Sequence, residues 1–89
     1  MIGPADLVAR LDCTPTPKGH TILARERDGE VDVEWSTRRF ARRVAVITWT
    51  TGGGFEFVHC DGNGDLAGSR DAADEQGLLV QLQRLVEVL

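Results

Sequence analysis

The sequence predicts an α+β fold: an antiparallel four-stranded meander with a short N-terminal helix and a long C-terminal helix packed on one face, in the order α-β-β-β-β-α. Three observations carry this expectation. Residues 21–35 alternate apolar and polar around Asp28-Gly29, the mark of a half-buried hairpin. Residues 44–60 hold two apolar runs split by Thr51-Gly52-Gly53-Gly54. From Leu78 onward the apolar residues recur with a helical period.

The first element is a helix over 4–11. Pro4 suits a first-turn position, where its missing N–H has no partner to lose. Leu7, Val8 and Leu11 form one apolar stripe. Two prolines and a glycine within residues 12–19 stop it.

The hairpin comes next. A type I′ turn needs positive φ at both central residues, and Asp-Gly tolerates this. The turn fixes the register. Arg27 faces Glu30, Glu26 faces Val31, Arg25 faces Asp32, Ala24 faces Val33 and Ile22 faces Trp35. Ile22, Ala24, Val31, Val33 and Trp35 then share the core face. Arg25 and Asp32 form a solvated pair on the other, worth about 0.2–1 kcal/mol. Glu26 is the misfit, and its place beside the turn lets it reach solvent.

A polar connection, Ser36–Arg43, leads to the second hairpin, Val44–Thr50 and Phe55–Cys60. These strands are apolar on both faces, a pattern expected where both faces are covered. With a four-residue loop, Val44, Val46, Phe55 and Phe57 share one face, and Ala45, Ile47, Trp49 and Val58 the other. Asp61-Gly62-Asn63-Gly64-Asp65 reads as a turn. The last helix takes Ser69 or Asp71 as its N-cap. Leu78, Leu79, Leu82, Leu85, Val86 and Leu89 fall within an arc of about 120°, with Val80 and Val88 outside it.

The 89 residues include 14 acidic and 10 basic side chains, for a net charge of −4. This length allows one domain, residues 1–89. A chain so short buries only about 60% of its unfolded surface. The N-terminal residues lack a basic stretch followed by an apolar one, so a cytoplasmic protein without a membrane span is expected. Cys13 and Cys60 are then expected as reduced thiols, rather than as the single bridge of an extracellular domain.

The charge is uneven. Residues 1–45 carry eight basic and seven acidic side chains, and residues 46–89 carry two and seven. Arg38, Arg39, Arg42 and Arg43 surround Phe40, with Trp35 close by. Guanidinium forks bind phosphates and aromatic rings stack on bases, so this basic patch suits a phosphate or an acidic partner. The acidic remainder argues against a broad nucleic-acid surface.

Other constellations fall short. Cys13, His20, His59 and Cys60 lack the paired spacing of a zinc site, and no metal or other cofactor is expected. His59-Cys60-Asp61 offers a thiol without a placed base. Asp61-x-Asn63-x-Asp65 begins like a calcium loop, but Leu66 and Ala72 stand where glycine and glutamate are needed. Gly52-Gly53-Gly54 joins two strands, whereas phosphate loops feed a helix.

The expected function is therefore a small non-enzymatic module that binds a protein, of inhibitor, immunity or adaptor type. It acts on another chain or on itself as a homodimer, through an apolar sheet face. Uncovered apolar strand surface calls for a partner, and such a face offers about 700 Å². The expected interface is Val44, Val46, Phe55, Phe57 and Trp49. A nucleic-acid-binding module using Trp35, Phe40 and the four arginines is the alternative.

Overall fold

The computed structural model describes residues 2–61, 63 and 65–88. Leu89 of the expected apolar stripe, and Gly62 and Gly64 of the turn cluster, lie outside the described residues, as does the side chain of Val88. The order is α1 (Pro4–Leu11), β1 (Thr14–Pro15), β2 (Thr21–Arg27), β3 (Glu30–Ser36), β4 (Ala41–Trp49), β5 (Phe55–Cys60), β6 (Leu66–Ala72) and α2 (Glu75–Val88). The fold is α+β with an antiparallel meander, as expected, but the sheet has six strands, not four, in the order β1-β2-β3-β4-β5-β6.

The first hairpin has the register that its turn dictates. Asp28 and Gly29 both take positive φ, 53° and 80°. Ile22, Ala24, Val31 and Val33 are buried, Trp35 packs partly against them, and Glu26 is exposed. Asp32 pairs diagonally with Arg27 (Nε–Oδ2 3.5 Å), not with Arg25 directly opposite.

The second hairpin departs from expectation in its loop. Trp49 pairs with Phe55, so five residues connect the strands. Thr50 closes the loop: Gly53 N–H donates to its carbonyl (3.2 Å) and Gly54 N–H to its Oγ1 (3.1 Å). Gly53 takes φ 85°, open to glycine at no steric cost. The shift by one residue changes which side chains share a face. Ile47 lies opposite Phe57 and Ala45 opposite His59. All of them, with Trp49 and Phe55, face the helices.

A bulge completes the correction. The β3–β4 register shifts between Val33 and Glu34, because Ala45 opposes Val33 while Arg43 opposes Glu34. Val44 is the extra residue, and it joins the core beside Ala45. A bulge inserts one residue and turns its side chain away from strict alternation. The buried run Val44-Ala45-Val46-Ile47 thus arises from a bulge plus one residue on the far face.

The sequence predicts that the turn cluster at 61–65 runs into a helix capped at Ser69 or Asp71, but Leu66–Ala72 form β6 instead. Its Gly, Ala and Asp residues have low strand propensity. It forms because β5, with Phe55 and Phe57 buried, needs ladder partners for its backbone groups. The helix starts later than expected, with Asp74 at the cap. Its carboxylate accepts Gly77 N–H (2.8 Å) and its carbonyl accepts Leu78 N–H (3.2 Å). Ser69 and Asp71, the expected caps, sit in the strand.

Both helices lie on one face. Leu7 and Leu11 of α1 and Leu78 and Leu82 of α2 join Ile22, Val31, Ile47, Phe55 and Phe57 in one cluster. Leu85 and Val86 pack against it, while Leu79 and Val80 are exposed. Trp49 Nε1 donates to the Ile2 carbonyl (3.0 Å), and Ala24 N–H donates to Asp12 Oδ1 (3.1 Å), tying the N-terminal segment to the sheet. Among the described residues, no helix is long and apolar enough to cross a membrane.

Candidate functional site

The sheet face away from the helices is open. Strand alternation and register put Leu23, Arg25 and Arg27 of β2 there, then Glu30, Asp32 and Glu34 of β3. Arg43, Val46 and Thr48 of β4 follow, then Glu56 and Val58 of β5, and Leu66, Ser69 and Asp71 of β6. Val46 sits at the centre opposite Val58. It is only 8% exposed, although it lies outside the main core cluster. Leu66, at the strand's far end, is 62% exposed. Between them lies a shallow depression of about 340 Å³, walled by side chains of both charge signs.

This distribution overturns the expected interface set as a single patch. Val44, Phe55 and Phe57 are in the core under the helices, and Trp49 packs against that core. Of the five, only Val46 is on the open face. The second face of residues 44–60 is mixed rather than apolar: Thr48, Glu56, Val58 and Val46 share it. The expectation that these strands are apolar on both sides rested on the unbroken apolar run 44–47; the bulge accounts for Val44, and the five-residue loop puts Phe55 and Phe57 on the same side as Ala45, Ile47 and Trp49.

The basic patch is also divided. Trp35 pairs with Arg42, and Glu34 with Arg43, so the two neighbouring arginines point to opposite faces. Arg42 lies over the Trp35 ring, its guanidinium carbon 5.3 Å from the centroid, a distance that allows cation–π attraction. His20 meets Trp35 edge-on, with ring centroids 4.4 Å apart, and Phe40 tilts against it at 5.1 Å. Arg38 and Arg39 are exposed in the β3–β4 turn. Thr37 holds that turn, its Oγ1 accepting Arg39 N–H (3.2 Å) and Phe40 N–H (3.3 Å). Arg43 belongs to the open face.

The remaining sequence candidates scatter. Cys13 and Cys60 are free thiols, Cys13 in the left-handed region after α1 and Cys60 in β5 opposite Leu66. His20 is on Trp35 and His59 on the helix side of β5. Asp61 acts as a turn residue: its Oδ1 accepts Asn63 N–H (2.9 Å) and Asp65 N–H (3.1 Å). Among the described residues no three His, Cys, Asp or Glu side chains gather as a metal site. One grouping was invisible in the sequence: β6 and α2 bring Arg70 and Arg84 together beside His59. No periodic signal marks β6, so nothing in the sequence aligned Arg70 with the helix.

Compared with family models, with curated proteins and with solved structures, the chain finds no match in any of the three.

Proposed function

We propose that the protein is a non-enzymatic binding module that docks a protein partner on the open face of its sheet. The observation that carries this reading is the uncovered face itself, with Val46 and Val58 at its centre and charges around them. An apolar centre inside a polar rim is the common anatomy of protein interfaces. The face carries five carboxylates (Glu30, Asp32, Glu34, Glu56, Asp71) against three guanidiniums (Arg25, Arg27, Arg43). The partner it fits is a protein with an apolar protrusion and a basic rim, because opposite potentials steer and fix association. Two copies face to face would bring acidic surfaces together, so the homodimer is the weaker form of the reading.

Comparative capture tests it. Wild-type protein and Val58→Asp are immobilised and exposed to extract of the source cell, and bound complexes are cross-linked and mapped. A basic protein held by wild type, lost on Val58→Asp, and cross-linked to strands β3–β5 is the expected result. A partner unaffected by Val58→Asp, cross-links confined to the helices, or no protein that separates the two baits overturns it. A dimer in sedimentation that Val58→Asp dissociates reassigns the face to a second copy.

A second reading rests on the ring stack of Trp35 and Phe40, the latter 54% exposed, beside Arg38, Arg39 and Arg42. It suits a single-stranded nucleic acid. Oligonucleotide binding at low salt that Phe40→Ala weakens supports it; no detectable binding removes it.

A further inference from the structure

The helix side of the sheet is not sealed. Beside Leu85 of α2 a cleft of about 240 Å³ opens, lined by Phe57, His59, Arg70, Gln81, Arg84 and Leu85. Register and helical period explain this gathering. Arg70 pairs across the strands with Phe57, and His59 with Gly68. Gln81, Arg84 and Leu85 follow at i, i+3 and i+4, one above the other on the helix surface. The His59 ring lies against the Gly68 backbone: a Cβ there would stand 2.8 Å from Cε1. Glycine at 68 is what lets the imidazole rest in the cleft.

The electrostatics of the cleft oppose those of the chain. The protein carries 14 acidic against 10 basic residues, yet the lining has two arginines, a histidine and no acid. Among the described residues, neither the Arg70 nor the Arg84 guanidinium makes an ion pair or hydrogen bond. Both arginines line the cleft in which Phe57 and Leu85 supply an apolar wall.

We infer that this cleft binds a small carboxylate on an apolar body, such as an aryl-substituted or branched alkanoate. Guanidinium forks match a carboxylate bidentately. The Gln81 amide adds a donor, and the apolar wall selects for a hydrocarbon body over a bare anion. At about 30 Å³ per water, the cleft has the room of roughly eight waters, enough for a short hydrocarbon body beside a carboxylate. The cleft is on the opposite side of the sheet from the docking face, so the two sites stand or fall separately.

The test is a titration of isotopically labelled protein followed by amide shifts, with three probes: 4-phenylbutyrate, 4-phenylbutanol and inorganic phosphate. Saturable shifts at His59, Arg70 and Arg84 with 4-phenylbutyrate alone are expected. The double variant Arg70→Gln/Arg84→Gln should weaken that binding by about tenfold or more, the scale of a lost charge-assisted bond. Arg38→Gln/Arg39→Gln removes equal charge elsewhere and should leave it unchanged. Both cleft arginines are exposed, so the native circular dichroism should persist; Arg84→Gln alone serves if the double variant loses it. Equal shifts with phenylbutanol, equal affinity for phosphate, equal loss with the control pair, or no saturable shift overturns the inference.

Discussion

Gly54 shows how much a single position can carry. A Cβ there would meet the Ala72 carbonyl oxygen at 2.8 Å, and that oxygen belongs to backbone at the end of β6. Gly54→Ala is expected to lower stability by about 1–3 kcal/mol, the scale of overpacking. Gly52, with nothing within 4 Å of an added Cβ, should change by less than about 0.5 kcal/mol as alanine. Urea midpoints of the two variants check the pair. The Trp49 indole makes a different kind of contribution. Its N–H bond to the Ile2 carbonyl spans 47 positions, and Trp49→Phe should cost about 1 kcal/mol. Hydrogen exchange should then rise in the N-terminal segment before it rises in the sheet.

Among the elements, α2 and β6 hold most of what the sequence misplaced. The helix is capped by Asp74, so Asp74→Ala should cost about 1 kcal/mol. Asp71→Ala, in an exposed strand position, should cost less than about 0.5 kcal/mol. The opposite ranking in thermal melts would put the helix start back at residue 71. The first hairpin was legible because the Asp28-Gly29 turn sets φ, register and face together. The Gly-rich loop of the second hairpin sets none of these, since glycine allows several loop lengths with equal ease. β1 and β6 gave no signal, being too short or too polar to alternate.

For the molecule as a whole, the decisive fact is that both helices cover one face of six strands. Side chains that the helices bury on that face should behave as core and those opposite should not. Phe57→Ala is expected to cost about 3–5 kcal/mol. Val58→Ala, its neighbour on the open face, should cost less than about 1.5 kcal/mol, because a half-exposed side chain leaves no closed cavity. Chemical denaturation of the two variants measures the difference. Similar losses would mean that the open face is covered in solution, and a concentration-dependent midpoint would identify a second copy as the cover.

The sequence alone determined the α+β class, the first helix, the first hairpin down to its register, and the part of the last helix's apolar stripe that packs on the core, Leu78, Leu82, Leu85 and Val86. These follow from local forces: turn dihedrals, strand alternation and helical period act over a few residues. Tertiary structure decided the rest. The bulge at Val44, the fifth loop residue and the recruitment of β6 depend on which backbone groups a neighbouring strand leaves to be paired. That cooperative requirement is not written in any short window, and it sent Phe55 and Phe57 under the helices while leaving Val46 and Val58 on the open face.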